Sequence, residues 1–195
     1  MNEDNNEENT DTLITYQPTE TSSKQTSAKK SKLVGSKEFE NAFKEAIKQD
    51  PSVEKYKDFL TRIAKKESGF NSYIQNRAGA PYYGYFQFGH AALKSVSNLT
   101  MEQFRKNPVE QIKAGARLYE RFIRQSKVIK VNNKISIYDL AKQKGYSDDS
   151  IAAGAWAGGL GGVKKFLLGQ GDPSDSHWYG GKGGTSVGKR MNEFK

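Results

Sequence analysis

One stretch of the chain carries the most information about the fold: Ala64-Lys65-Lys66-Glu67-Ser68-Gly69-Phe70. Tyr56, Leu60 and Ile63 precede it at helical spacing, and the same face continues to Glu67, four residues after Ile63. Gly69 stands where a glycine commonly ends a helix, because glycine adopts the left-handed backbone without strain. The stretch therefore predicts a helix with Glu67 in its last turn and the carboxylate on the apolar face.

The predicted environment of Glu67 favours a protonated carboxyl group. Burial disfavours the anion, and the unpaired carbonyl groups at the helix C-terminus act in the same direction. A carboxylic acid that keeps its proton near neutral pH suits cleavage of a glycosidic bond, since the leaving oxygen must be protonated. The alternative is a half-exposed Glu that pairs with Lys65 or Lys66, and the helix argument alone favours neither interpretation.

Outward from this stretch, the pattern stays helical in both directions. A helix is predicted from Ser36, where Phe39, Ala42, Phe43 and Ile47 begin to repeat at helical spacing. Asn107-Pro108 is typical of a helix start. An apolar stripe follows it, made of Val109, Ile112, Ala116, Tyr119 and Ile123. Residues 136–144, closed by Gly145, and residues 148–156 predict two further helices. No convincing run of alternating strand residues occurs, so the predicted fold class is mainly α.

Aromatic residues alternate with glycine and proline in residues 79–89, which read Gly-Ala-Pro-Tyr-Tyr-Gly-Tyr-Phe-Gln-Phe-Gly. Aromatic faces stack on sugar rings or on bases, and the amide of Gln87 can hold a hydroxyl or an N-acetyl group. The alternative is a packed turn whose rings belong to the core.

Small residues fill a third segment, residues 154–162, which reads Gly-Ala-Trp-Ala-Gly-Gly-Leu-Gly-Gly. It is predicted to join a helix of small residues to another helix that begins near Val163. Trp156 within it is expected either to floor a groove or to fill a core.

Taken in order, these segments resemble the lytic transglycosylases with a soluble-lytic-transglycosylase (SLT) domain, relatives of goose-type lysozyme. The resemblance covers roughly residues 56–166. Its motifs are Glu67-Ser68-Gly69-Phe70, Gly84-Tyr85-Phe86-Gln87, Asn107-Pro108 with Ala114-Gly115, and the small-residue helix that ends in Trp156 and the glycines up to Gly162.

The resemblance implies a lysozyme-like helical fold and cleavage of the β-1,4 bond between N-acetylmuramic acid and N-acetylglucosamine in peptidoglycan. Glu67 would be the catalytic acid and base, and Ser68, Tyr85, Gln87 and Trp156 would contact the substrate. The family needs no cofactor or metal and no second essential carboxylate. One position departs from the family pattern, because Ala157 stands where the family usually has Asn.

Composition divides the chain into a tail and one domain. Residues 1–36 are polar, with six acidic and four basic residues, and are expected to be a disordered tail or linker, because they offer little apolar surface to bury. Residues 37–195 are expected to form the lysozyme-like domain. They carry 27 basic and 16 acidic residues, a net charge of +11, which predicts attraction to polyanions such as bacterial wall polymers.

The residue types present also exclude some kinds of site. The chain has no cysteine and two distant histidines, so a Cys nucleophile and a thiolate or His-based metal site are not expected. Asp148 and Asp149 look like helix caps, and Asp172 and Asp175 are the nearest candidates for a second carboxylate, on a glycine-rich loop.

Two other function classes remain open from sequence. A non-catalytic wall-binding or virion structural protein on the same fold is the main alternative. A nucleic-acid binder is the third, although the basic residues are scattered rather than striped and no recognition motif is present.

The acidic first residues and the lack of a long apolar run predict no signal peptide and no membrane insertion. We therefore expect action on the cell wall after non-classical delivery, through a phage virion or phage lysis, with the tail as a site for a delivery partner.

Overall fold

The computed structural model describes residues 25–75, 81–170 and 186–195, with side chains from residue 36 onward. These residues form eight α-helices, a 3₁₀ helix and one pair of two-residue strands. The elements in chain order are α1 (Gln25–Gln49), the 3₁₀ helix (Pro51–Tyr56), α2 (Lys57–Glu67), α3 (His90–Lys94), α4 (Met101–Arg105), α5 (Pro108–Val128), β1 (Lys130–Val131), β2 (Ile135–Ser136), α6 (Ile137–Gln143), α7 (Asp148–Leu167) and α8 (Val187–Glu193). The predicted mainly α class is therefore confirmed.

Helix α1 begins earlier than the sequence predicts. The helix starts at Gln25 and not at Ser36, so residues 25–35 of the segment expected to be disordered are helical. Several of these residues are Ala, Lys and Leu, which favour helix, and extending an existing helix costs much less than nucleating one. Residues 1–24 of the predicted tail lie outside the described residues.

Within α1, the buried side chains among residues 36–49 include Phe39, Phe43 and Ala46. A chain that starts at Ser36 is therefore expected to unfold at the same denaturant concentration as the full chain. Equilibrium unfolding of the two chains, followed by circular dichroism, checks this expectation. A clearly lower midpoint for the shorter chain would mean that residues 25–35 help to hold the domain together.

Helix α5 lies at the centre of the domain. The side chain of Asn107 caps its N-terminus by accepting a hydrogen bond from the Glu110 N–H at 3.0 Å, as the Asn-Pro pair predicts. The predicted apolar stripe faces inward, with Ile112, Ala116 and Ile123 buried. Helix α5 therefore provides the surface on which α1, α6 and α7 pack.

Helix α7 is bent and carries the C-terminal helix α8 on its surface. The bend lies at Gly158 and Gly159, whose backbone angles are not helical, so the second half begins before Val163. A side chain at Gly154 would collide with Met191, and one at Gly188 would collide with Phe166. Glycine at these two positions lets α7 and α8 approach closely, and α8 becomes part of the core.

Four short elements are absent from the sequence-based description: α3, α4, α8 and the β1–β2 pair. The two strands are antiparallel, with Lys130 opposite Ser136 and Val131 opposite Ile135. Asn132 and Asn133 make the turn between them with positive φ angles, which Asn tolerates better than most residues. None of the helices in the described ranges has the length and apolar character needed to cross a membrane.

Candidate active site

Glu67 is the last residue of α2, as the sequence predicts. The Ser68 N–H donates to the Ala64 carbonyl at 3.1 Å, and Gly69, with φ of +61°, turns the chain out of the helix. The Glu67 side chain is 20% exposed. Its carboxylate is therefore partly withdrawn from water at the C-terminal end of a helix.

The partner of Glu67 is Arg190 of α8, which the sequence reasoning missed. The Arg190 Nη2 donates to the Glu67 Oε1 at 2.7 Å across 123 residues of sequence, and Arg190 is only 5% exposed. A signal for it exists, because Val187, Arg190 and Met191 occupy helical positions on one face and both apolar neighbours are buried. A charged residue on an apolar face requires a buried partner.

Burial and charge act in opposite directions on Glu67. Burial is the largest influence and raises the pKa of the Glu67 carboxyl above its ordinary value, while Arg190 and Lys66 lower it. The pKa remains raised overall. A larger share of Glu67 therefore holds a proton near neutral pH than an exposed Glu would, which suits a proton donor.

Ser68 has a structural role in the turn after α2. Its Oγ donates to the Ala64 carbonyl at 3.0 Å and accepts from the Asn71 N–H at 3.2 Å. These bonds hold the backbone that leaves Glu67. The contact of Ser68 with substrate stays a prediction.

The motif at residues 84–87 forms a tight loop closed by two hydrogen bonds between Tyr83 and Phe88, at 3.0 and 2.8 Å. Gly84 has φ of +78°, and a side chain there would collide with the amide of Gln111. Gln111 is fully buried and accepts from the Tyr85 N–H at 2.9 Å, while its own amide donates to the Ser72 carbonyl at 3.1 Å. Gln111, a residue that sequence reasoning missed, therefore anchors this loop to α5.

Tyr85 does not reach the surface, so its predicted contact with substrate is corrected. The residue is 0% exposed, and its ring packs edge-on against Phe39 with centroids 5.1 Å apart. Burial raises the pKa of Tyr85 to about 12. The ring turns inward because the loop is pinned by Gln111 and the large apolar surface gains more from the core than from water.

Gln87 and Trp156 line one cavity of about 370 Å³, together with Phe86, Phe122 and Tyr82. The Gln87 amide donates to the Gly84 carbonyl at 3.1 Å, and the Trp156 Nε1 donates to the Phe86 carbonyl at 3.0 Å. The two predicted substrate-binding residues are thus brought together. Aromatic walls with a polar amide are typical of sugar-binding surfaces.

Glu67 is not among the residues that line this cavity. The two sites are linked through α2, because Phe59 of that helix packs against Trp156 with ring centroids 5.9 Å apart. The structure therefore places the predicted site residues in two groups: Glu67, which pairs with Arg190, and the aromatic cavity lined by Gln87 and Trp156.

The four aspartates singled out from the sequence either have partners away from Glu67 or lie outside the described residues. Asp149 accepts from the Tyr119 hydroxyl at 2.8 Å, and Asp148 pairs with Lys142 at 2.5 Å. Both line a separate cavity of about 700 Å³. The residue that caps α7 is Ser147, and not one of these aspartates as the sequence suggested. Asp172 and Asp175 lie outside the described residues, and the described part of the chain contains no cluster of three or more His, Asp or Glu side chains arranged for a metal ion.

A family model agrees with the helical fold and with the resemblance seen in the sequence. Neither the curated proteins nor the solved structures give a match. The family model described as the transglycosylase SLT domain matches residues 42–179, which is more than half of the 195 residues. The match includes Glu67, Gln87 and Trp156. The chain therefore belongs to the transglycosylase SLT domain family, which has a lysozyme-like fold and acts on peptidoglycan.

Proposed function

We propose that this protein cleaves the β-1,4 bond between N-acetylmuramic acid and N-acetylglucosamine, with Glu67 as general acid and then general base. The observation that carries the proposal is the half-buried carboxyl group at the end of α2, whose pKa is raised by burial. Membership in the SLT family supports peptidoglycan as the substrate. The Gln87 and Trp156 cavity supplies surfaces suited to sugar rings.

The reaction requires Glu67 in two protonation states. As the bond between the anomeric carbon and the glycosidic oxygen breaks, protonated Glu67 gives its proton to the leaving oxygen. The oxygen of the 2-acetamido group bonds to the anomeric carbon as the leaving oxygen departs. In the second half the Glu67 carboxylate takes a proton from the 6-hydroxyl group, whose oxygen displaces the acetamido oxygen and closes a 1,6-anhydro ring, or from water, whose oxygen displaces it and gives hydrolysis. Alternatively, a water molecule attacks the anomeric carbon directly and gives up its proton to Glu67 once Glu67 has protonated the leaving oxygen.

A non-catalytic wall-binding or virion protein is the second candidate. The contact between Glu67 and Arg190 favours it, since an ion pair of this kind can serve structure alone. The presence of Ala157, where the family usually has Asn, points in the same direction. A binder retains the cavity but releases no sugar.

One assay separates the two candidates. Purified peptidoglycan is incubated with the protein, soluble sugar is measured in the supernatant, and bound protein is measured in the pellet. We expect sugar in the supernatant to increase with time. Protein in the pellet without soluble sugar at any pH between 4 and 9 would favour the binder.

In the same assay, a chain that starts at Ser36 is expected to release sugar as fast as the full chain.

The charge of the folded part predicts a strong dependence on salt. Residues 37–195 carry a net charge of +11, and salt shortens the reach of electrostatic attraction from about 10 Å at 0.1 M to about 3 Å at 1 M. Activity on whole walls should therefore fall steeply with salt. Cleavage of a short uncharged chito-oligosaccharide, if it is accepted, should change little. A parallel loss on both substrates would show that salt acts on the site or the fold.

Delivery belongs to the same proposal. A protein that cuts peptidoglycan must reach the wall, and we propose a non-classical route, such as a phage virion or phage lysis. The N-terminal tail would be the segment that a delivery partner recognises.

A further inference from the structure

We propose that Arg190 is a positioning residue that controls the proton on Glu67, which rests on the proposed role of Glu67 as acid and base. In this account Arg190 positions the Glu67 side chain before substrate binds and stabilises the carboxylate that remains after the proton has been donated. Arg190 lies beyond residues 42–179, so the family match assigns it no role.

The contact between the two side chains is direct and buried. The Arg190 Nη2 lies 2.7 Å from the Glu67 Oε1, and the side chains are 6% and 20% exposed. The Nε and Nη1 atoms of Arg190 are buried and have no hydrogen-bond acceptor among the described residues. Glu67 therefore supplies the negative charge that this guanidinium contacts, and protonation of Glu67 would leave the cation without a charged partner.

The position of Arg190 is fixed by the packing of α8. Gly188 lies against the ring of Phe166, and Met191 lies against Gly154. On the side that faces α2, the Arg62 guanidinium stacks over the ring of Phe194 at 3.8 Å. Arg190 cannot leave Glu67 by a simple rotation of the helix, because contacts on both sides of α8 would be lost.

Two other cations of α2, Lys66 and Arg62, are engaged with Glu193 of α8. Lys66, on α2, forms a salt bridge with Glu193 of α8. Arg62 of α2 donates to the backbone carbonyl of Glu193. Among these charged groups, Arg190 is the buried cation in contact with the Glu67 carboxylate. It is therefore the group expected to have the largest effect on whether Glu67 holds its proton.

The positive charge of Arg190 affects the two halves of the reaction in opposite ways. A positive charge beside Glu67 opposes the proton that the first half requires, and it favours the carboxylate that the second half requires. Loss of that charge should let Glu67 keep its proton to higher pH and should weaken it as a base. The basic limb of the pH–rate profile should therefore move to higher pH, while the maximum rate falls.

The test compares Arg190→Met and Arg190→Gln, which remove the charge, with Arg190→Lys, which keeps it. Lys113→Met is the matched control, because Lys113 is also a largely buried cation paired with a carboxylate, Glu110, outside the site. The Glu67 carboxyl carbon is followed by ¹³C NMR in protein with labelled glutamate, and its signal is assigned by its loss in Glu67→Gln. Glycan release is measured on the same samples as a function of pH.

We expect the Glu67 titration midpoint and the basic limb to rise by about one to three pH units in whichever neutral variant folds. Arg190→Lys and Lys113→Met should stay within about half a unit of the wild type, a margin well below the expected shift. A midpoint that does not move in a folded neutral variant would overturn the proposal.

If Glu67→Gln retains full activity, the proposed function fails, and the NMR midpoint still decides whether Arg190 controls the proton. If Glu67→Gln is inactive and the neutral variants keep the wild-type midpoint and profile, only this inference fails.

Discussion

Replacement of Glu67 by Gln is expected to reduce sugar release from purified peptidoglycan by about 10²–10⁴-fold, because general acid catalysis contributes about that much and an amide cannot donate the required proton. Gln keeps the length and shape of the side chain and can still accept a hydrogen bond from Arg190. Binding to the wall should therefore remain while turnover is lost. Initial rates of soluble sugar release and pelleting with the wall measure the two effects on one preparation.

Glu110→Gln is the matched control for this variant. The Glu110 side chain is 21% exposed, against 20% for Glu67, and it also pairs with a cation, Lys113. Loss of activity in Glu67→Gln alone would assign the effect to the site, whereas equal losses in both variants would assign it to folding. Full activity of Glu67→Gln would remove Glu67 from the mechanism.

The stability of Glu67→Gln should fall. If the Glu67 carboxylate were desolvated and had no partner, its removal would leave the melting temperature unchanged or raise it. The buried Arg190 reverses that expectation, since the variant leaves a cation without a counter-charge. Activity is therefore compared at a temperature where unfolding curves show each variant to be folded.

Trp156→Ala is expected to lower the free energy of unfolding by about 3–5 kcal/mol, because it leaves a large cavity where an aromatic ring packs. The ring lies 5.9 Å from Phe59, Phe86 and Phe122 and 6.1 Å from Phe88, measured between centroids. The variant also leaves the Phe86 carbonyl without the hydrogen bond from Nε1. Equilibrium unfolding in urea, followed by circular dichroism, gives the value.

Tyr82→Ala is the control for Trp156, because Tyr82 lines the same cavity but is 46% exposed. Its free energy of unfolding should fall by less than about 1 kcal/mol, as for most exposed substitutions. Equal small decreases in the two variants would mean that Trp156 does not stabilise the core.

Trp156→Phe keeps an aromatic ring and should remain folded. A loss of sugar release in this variant would therefore report on substrate contact.

The parts of the fold that depend on local patterns could be predicted from sequence. The end of α2 follows from the apolar face and from Gly69, and both lie within eleven residues of Glu67. The start of α5 follows from Asn107 and Pro108. Such signals act between neighbours in the chain, so they are visible without any knowledge of tertiary packing.

The parts that depend on distant contacts were missed or wrong. Arg190 meets Glu67 across 123 residues, and α8, which carries it, is only seven residues long. Tyr85 was assigned to substrate because the motif around it is typical of a groove, but Gln111 turns its backbone so that the ring enters the core. The motif locates the loop, and tertiary contacts decide which of its side chains face solvent.

The most direct test of the central claim is the chemical identity of the ends that the protein creates. Purified peptidoglycan is digested with the wild type, with Glu67→Gln and with Glu110→Gln, and the released fragments are identified by mass spectrometry. We expect new ends at N-acetylmuramic acid, in the anhydro or the reducing form, from the wild type and Glu110→Gln and about 10²–10⁴-fold fewer from Glu67→Gln. New ends at N-acetylglucosamine, cleaved peptide bonds, or equal amounts of fragments from all three proteins would contradict the account.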